Sequence, residues 1–360
     1  MYKYGIISFT EESKKIIDKV QNDMSIIVIA ENDYETWGIE YKGIKVCSFD
    51  KLINMYKNKK IDRILIPSIK NGNVLHTMYV ALLENDIKDD TIYYVSRELT
   101  YENKPIFEND LINFIDRKEL DRLEIHITDH CNLKCANCSM LSGLVKSNKN
   151  ANFSITQRAL INLHKYYDEI YQIDLIGGEP TLNPDLMKYC SLLRELYPKS
   201  NIFIVTNGTT IINMTLDKLY LLREKNITFA ITYYPAFDKN ILSCIEFLNQ
   251  NSIHYEILPK RVNFLKLYDL EGKQIYQDVY RHCKKKLLVL AIRENIFASC
   301  YVPFAICNAK ERFNLDYTDE VFVDLLENNL SRRKIMSILT QPLKCCKFCH
   351  DDKEEWIQDI

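Results

Sequence analysis

Apolar and polar positions change rhythm three times along this chain. Over the first hundred or so residues, short runs at Tyr4–Phe9, Glu11–Val20, Met24–Ala30, Gly43–Ser48, Leu52–Tyr56, Arg63–Pro67, Val74–Leu83 and Thr91–Val95 alternate between strand-like and helical patterns. That alternation predicts a small parallel α/β sheet. A polar connector over Ser96–Arg117 follows. A second series then begins, with strand candidates Leu123–Thr128, Gln172–Ile176, Ile202–Thr206, Ile227–Thr232 and His254–Leu258. Helical stretches at Gln157–Tyr167, Asp185–Leu196, Leu216–Lys225 and Ile241–Asn249 separate them, as in an incomplete (β/α) barrel. The final hundred residues lose this rhythm and gain cysteines, as a small metal-stapled domain does. The expected fold class is therefore α/β, with three domains at 1–115, 116–265 and 266–360.

Candidate chemistry sits where the second series starts. Arg122–Thr128 alternates apolar and polar residues like a strand, and Asp129-His130-Cys131-Asn132-Leu133-Lys134-Cys135-Ala136-Asn137-Cys138 follows directly. The cysteines thus begin on a loop at a strand's C-terminal end, where barrel enzymes place their chemistry. Their C-x3-C-x2-C spacing caps three corners of an iron-sulfur cube and leaves one iron free, whereas a cube held by protein alone needs four thiolates. An open metal position reads as catalytic. The competing reading is a zinc knuckle completed by His130 or a distant side chain, but His130 is adjacent to Cys131 and the two would strain to share one ion.

At this spacing the chain resembles the radical S-adenosylmethionine (radical SAM) enzymes over about two thirds of its length. The resemblance implies that S-adenosylmethionine (SAM) chelates the free iron through its methionine amino and carboxylate groups. Gly177-Gly178-Glu179-Pro180, directly after the next strand, matches the motif that holds the amino group: two glycines permit close backbone approach and a carboxylate accepts from an ammonium. Ordinary turn chemistry is the alternative. Asn207 and Thr232, at the ends of the third and fourth strands, match the polar residues that contact ribose and carboxylate. One departure is Asn137, where the family commonly has an aromatic residue near the adenine.

A second cysteine set, Cys283, Cys300, Cys346 and Cys349, supplies four thiolates, enough to close a cube. It resembles the twitch form of the SPASM-type extension, in which a short hairpin and a helix hold an auxiliary [4Fe-4S] cluster. Leu287–Ile292 and Asn295–Ser299 look like the hairpin, turning at Arg293-Glu294. Cys345 is an alternative to Cys346, though Cys346-Lys347-Phe348-Cys349 has the better C-x2-C spacing. A structural zinc site, with Cys349 or His350, is the competing reading. Cys47, Cys190 and Cys244 read as small core residues, and Cys307 as a packed residue or a thiol near the active site, serving as a hydrogen donor.

The first domain resembles, through Trp37-Gly38 and Gly43-Ile44-Lys45-Val46, Rossmann-like domains ahead of catalytic domains in surface-polysaccharide biosynthesis proteins. Its first turn, Ser8-Phe9-Thr10-Glu11-Glu12, has no G-x-G-x-x-G, and two carboxylates at a helix start repel a pyrophosphate.

Composition narrows the partners. The 360 residues carry 47 basic and 49 acidic side chains, which offer no global attraction for nucleic acid. The runs Lys284-Lys285-Lys286 and Arg332-Arg333-Lys334 read as solvated faces. The amino terminus lacks a signal peptide's apolar stretch, and no later run approaches bilayer length, so the expected compartment is the cytosol and no membrane partner is expected. Twelve cysteines in that reducing compartment argue for metal ligation rather than disulfides.

The expected activity is a radical SAM oxidoreductase with two [4Fe-4S] clusters, supplied with electrons by a flavodoxin or ferredoxin. A closed auxiliary cluster suits electron transfer, so dehydrogenation of a carbinol in a sugar, cyclitol or nucleotide-linked sugar is the favoured reading. Peptide modification and sugar epimerisation are the enzymatic rivals; an iron-sulfur electron-transfer or metal-stabilised interaction protein is the non-enzymatic one. No general base stands out among Tyr233, Tyr234, Lys260 and Arg261, which lie near expected strand ends.

Overall fold

The computed structural model describes residues 1–68, 74–145, 149–234, 238–259, 263–283, 286–315, 322–350 and 355–357. Two compact units, Met1–Arg117 and Lys118–Ile360, divide the chain.

The first unit is built on strands β1 (Tyr2–Ile7), β2 (Met24–Ala30), β3 (Glu40–Tyr41), β4 (Ile44–Cys47), β5 (Arg63–Pro67), β6 (Ile92–Val95) and β7 (Ile112–Asn113). They lie in the order β3-β4-β2-β1-β5-β6-β7. The five central strands are parallel, and the outer pairs β3–β4 and β6–β7 are antiparallel. Counting only the parallel strands, the order is that of a doubly wound nucleotide-binding sheet. Runs such as Tyr4, Ile6, Ile29, Ile64 and Leu65 are fully buried, as central parallel strands require. The helices start where short polar side chains cap them: Thr10 accepts from the Ser13 N–H and Ser48 from the Lys51 N–H.

The connector expected over Ser96–Arg117 belongs to this unit's fold. It forms a helix at Arg97–Tyr101 and the edge strand β7, and it buries Phe114 against Tyr79 with ring centroids 4.5 Å apart. A segment polar on average still carries the few apolar residues that close a sheet edge. In the turn after β1, the Phe9 N–H donates to the Glu31 carboxylate at 2.8 Å. A third carboxylate thus joins Glu11 and Glu12 where a doubly wound sheet would receive a phosphate.

The second unit contains β8 (Glu119–Thr128), β9 (Glu169–Gly177), β10 (Asn201–Thr206), β11 (Ile227–Thr232), β12 (Tyr255–Leu258), β13 (Asn263–Leu265), β14 (Leu290–Arg293), β15 (Ile296–Ala298), β16 (Val323–Asp324) and β17 (Glu355–Ile357). One sheet runs β12-β11-β10-β9-β8-β14-β15-β16, and β13 pairs with β17 separately. Neighbours from β12 to β8 are all parallel, with a helix in each of the four crossovers: Phe153–Tyr166, Leu186–Leu196, Leu216–Glu224 and Asp238–Gln250. This is a partial (β/α) barrel. β14 adds a further parallel strand beside β8, then turns antiparallel into β15. The sheet therefore continues into the cysteine-rich segment.

Both faces of β8 are covered. Leu123, Ile125 and Ile127 are fully buried on one side, yet His126 and Thr128 on the other are fully buried too. The polar positions of the alternation face the barrel interior instead of bulk water, because helices cover the outside. Cys190 and Cys244 are core residues of this unit and Cys47 of the first. No helix among the described residues is long and apolar enough to cross a membrane.

Candidate active site

The C-terminal ends of the parallel strands share one edge, and a cavity of about 980 Å³ opens there. Cys131, Cys135 and Cys138, on the loop after β8, line it with Gly177 and Gly178 after β9, Asn207 after β10 and Thr232 at the end of β11. Residues distant in sequence and singled out by the motifs are therefore brought to one wall.

The two glycines are required by the backbone. A Cβ on Gly177, whose φ is +148°, would lie 1.9 Å from the Thr128 carbonyl oxygen, and one on Gly178 would lie 2.1 Å from that of His130. In their place, the Gly178 N–H donates to Thr128 O at 2.8 Å and the Glu179 N–H to His130 O at 2.7 Å. The close approach these glycines permit is thus to the cysteine loop, which they pin to the end of β9.

Glu179 is held by the loops around it. Its side chain is fully buried and absent from the cavity wall. One carboxylate oxygen accepts from the Thr181 N–H at 3.1 Å and from the Thr181 and Thr206 hydroxyls at 2.6 and 2.7 Å; the other accepts from the Asn207 N–H at 2.8 Å. The carboxylate ties the β9 loop to the end of β10, because these donors surround it and a buried carboxylate needs them. It acts as a strut between loops.

Asn207 contacts the cysteine loop: its Nδ2 donates to Asn132 Oδ1 at 3.0 Å and approaches Cys131 Sγ at 3.9 Å. Asn137 adopts φ +55°, a left-handed conformation that asparagine tolerates better than a bulky aromatic does.

Burial pushes the Cys131 thiol up to about 12, with Glu179, Cys138 and Cys135 adding to the rise and the Leu133 N–H opposing it. Burial likewise raises Cys135 to about 11, with Cys138 contributing. Buried thiolates beside one another are stable only with a positive centre among them, which is the condition a metal cluster meets. Among the described residues, no group of three or more His, Cys, Asp or Glu side chains is drawn together as metal ligands would be. The thiols line the cavity without forming a closed cage.

A second cavity of about 630 Å³ is lined by Cys283, Cys300, Cys346 and Cys349. Burial holds the Cys300 thiol well above the ordinary range, with Cys349, Cys346 and Cys283 contributing. Cys345 is fully buried in the packed cluster around Ile306 and Phe348 and does not line this cavity. The expected hairpin is present as β14 and β15. Lys286 corrects the reading of its run as a solvated face: it is buried, lines this cavity and donates to Arg281 O at 3.3 Å. Lys284 and Lys285 lie outside the described residues, as do Lys260 and Arg261.

Cys307 does not line the first cavity. It occupies an exposed position on helix Val302–Phe313, whose buried positions include Ala305, Ile306 and Ala309. Tyr234 does line that cavity.

Several residues here carry no motif. Tyr301 and Leu267 line both cavities. The Tyr268 hydroxyl donates to Ser139 O at 2.6 Å, and the Tyr268 backbone bridges to Cys349, so this residue spans from the first cysteine loop to the second. Arg293 pairs with the buried Asp129 at 2.7 Å and fastens the hairpin to the loop before Cys131. Arg122, Glu124, Asp174 and Glu256, with the neutral Gln172, give the cavity a polar wall. The polar positions of β8 were a signal for this wall, but a single strand's alternation does not say which face is inside.

Residues 125–234, under a third of the chain, match the Radical SAM superfamily. That family implies SAM and one [4Fe-4S] cluster. Curated relatives include the mitochondrial GTP 3',8-cyclase of Arabidopsis thaliana, 28% identical over 138 residues, which are 38% of this chain and 33% of that protein. Another is the probable GTP 3',8-cyclase of Methanothermobacter marburgensis, 22% identical over 228 residues, 61% of this chain and 71% of that one. The chain spans only about a third of the Arabidopsis relative's length. Among solved structures, BtrN in complex with AdoMet and 2-DOIA aligns at a TM-score of 0.43 and 17% identity, over 64% of this chain and 93% of that one. Streptococcus suis SuiB bound to precursor peptide SuiA aligns at 0.35 and 14%, over 64% and 71%.

Proposed function

We propose that this chain is a radical SAM oxidoreductase that dehydrogenates a hydroxyl-bearing carbon of a sugar or cyclitol. The observation that carries the reading is the second cavity: four thiols line it, and it shares Tyr301 and Leu267 with the cavity that holds the first three. Four thiols close a cube and leave no position for substrate, so the group they would hold is suited to taking up an electron.

Cys131, Cys135 and Cys138 would hold the SAM-associated [4Fe-4S] cluster, with Gly177, Gly178, Asn207 and Thr232 around the cofactor. When bound, SAM and this cluster supply hydrogen-atom abstraction through a 5'-deoxyadenosyl radical. The protein's own tasks are to orient the target C–H bond, to exclude water and to take the hydroxyl proton. Glu124 and Asp174 face the cavity as acceptors for that proton. Loss of one hydrogen atom, one proton and one electron from CH–OH leaves a ketone. Epimerisation needs a hydrogen donor at the substrate, and Cys307 does not line the cavity. The external reductant in this reading is a flavodoxin or ferredoxin.

The test is anaerobic reconstitution, followed by incubation with SAM, reductant and candidate sugars or peptides. About eight irons per chain are expected, at about four per cube. A sugar product two hydrogens lighter supports dehydrogenation. The Cys346→Ala/Cys349→Ala variant should still form 5'-deoxyadenosine but lose net oxidation. Zinc at the second set, or a modified peptide instead of a sugar, would defeat the reading.

A further inference from the structure

We infer that Tyr268 is a positioning residue that couples the two cysteine sets, so that a metal held by the second set stabilises the metal held by the first. The inference rests on metal occupancy of both sets, as in the reading above, and adds an energetic link between them.

The link starts in the backbone. Tyr268 pairs antiparallel with Cys349, and on either side the Asp269 N–H donates to Phe348 O at 2.9 Å and the His350 N–H to Leu267 O at 2.9 Å. A candidate ligand of the second set is therefore fixed to the segment that carries Tyr268. From there the side chain reaches the other set. It is buried in one cluster with Met140, Cys346 and Phe348, and its hydroxyl donates to Ser139 O at 2.6 Å, directly after Cys138. Burial and then Tyr301, Cys349, Cys300 and Cys138 raise the phenol above its ordinary value, so it stands among thiols of both sets.

The loop around Cys138 needs these ties. Asn137 and Leu141 both adopt left-handed backbone, with φ of +55° and +52°. Residues other than glycine keep such a conformation only where the surroundings over-determine it. Tyr268 supplies one restraint, and Asn308 supplies another: buried on helix Val302–Phe313, it donates through Nδ2 to Met140 O at 3.0 Å. That helix begins just after Cys300. Both restraints thus come from elements that carry or adjoin candidate ligands of the second set. A metal that gathers Cys300 and Cys349 fixes those elements, and with them the carbonyls that follow Cys138. Ordering one site lowers the cost of ordering the other, and the effect is reciprocal.

The experiment is a double-mutant cycle on the anaerobically reconstituted full chain, read as the rate at which a chelator removes iron from the first site. The electron paramagnetic resonance signal of the reduced, SAM-bound cluster follows that site. Tyr268→Phe keeps the ring and loses the hydroxyl; Cys346→Ala/Cys349→Ala empties the second set. Each is expected to speed iron loss by about fivefold, the scale of one buried hydrogen bond. Their combination should be no faster than either, because the link is already cut. Rates that multiply to about 25-fold would mean independent effects and overturn the inference. Tyr280→Phe is the control: Tyr280 is buried in the same cluster and donates to Thr340 O at 2.8 Å, so it loses an equivalent bond away from the first loop. Iron loss at the parent rate is expected there, and a rate equal to that of Tyr268→Phe overturns the inference as general loosening of the core. This comparison decides alone if the cysteine variant does not fold. Metal analysis separates the two proposals. Zinc in the second set with non-multiplying rates removes the dehydrogenation and supports the coupling, whereas about eight irons with multiplying rates does the reverse.

Discussion

Glu179 ties together the loops that carry the candidate site. Its carboxylate accepts four hydrogen bonds from Thr181, Thr206 and Asn207, so it positions the loops that flank the cavity. Glu179→Ala leaves these donors buried without an acceptor and should lower stability by about 3 kcal/mol, with a parallel loss of SAM affinity. Thermal unfolding and calorimetry measure both; lost affinity at unchanged stability would return the residue to direct contact with the ligand. His76 offers a second test at this scale, in the first unit. Burial depresses its imidazole from 6.5 to about 3, with Arg117 adding to the effect. Below pH 6.5 the unfolded chain takes up a proton that the folded one refuses, so stability falls as pH drops from about 6.5 towards 3. Unfolding free energies from urea titration at pH 7 and 4.5 should differ by up to ~3 kcal/mol more in the parent than in His76→Phe, since each pH unit is worth ~1.4 kcal/mol.

At the scale of elements, the candidate site is a contact between two strand ends. The Gly178 and Glu179 amides donate to the Thr128 and His130 carbonyls, which fixes the loop carrying Cys131, Cys135 and Cys138 against β9. Gly178→Ala puts a methyl group where His130 O now stands and must push that loop away. The expected result is loss of about half of the reconstituted iron, about four atoms of eight, with the second cysteine set still loaded. Full iron content in this variant would show that the loop tolerates displacement. The hairpin β14–β15 is anchored to the same loop by Arg293 and Asp129. Iron loss at the first site on Arg293→Ala, with wild-type far-UV circular dichroism, would confirm that the hairpin positions the loop.

For the whole molecule, the division at Arg117 makes the first unit a candidate for independent folding. A fragment ending at Arg117 should unfold cooperatively, whereas one ending at Val95 loses β7 and the buried Phe114. The shorter fragment should be less stable by more than about 3 kcal/mol, on the scale of deleting a buried aromatic side chain. Urea titration of the two fragments compares them directly, and equal midpoints would put the segment after Val95 outside the fold.

The alternation of strands and helices, the strand ends and the spacing of the cysteines could all be read along the chain, because each depends on a local period or a short interval. β2, β5 and β11 occupy the residues their patterns predicted. The motif at Gly177-Gly178 was equally legible, although what it approaches was not. Partners across the sheet were illegible: which face of β8 is interior, that Glu179 turns towards Thr206, that Tyr301 lines two cavities and that Arg122 pairs with Asp174. These depend on neighbours dozens to hundreds of residues away, and on helices that cover the outside of the barrel, so no window of sequence contains them. Sequence by itself determined which residues are candidates for chemistry and where along each strand they stand. Tertiary structure decided which of them face one another, because charge, burial and hydrogen bonding are properties of side chains brought into contact only when the sheet closes.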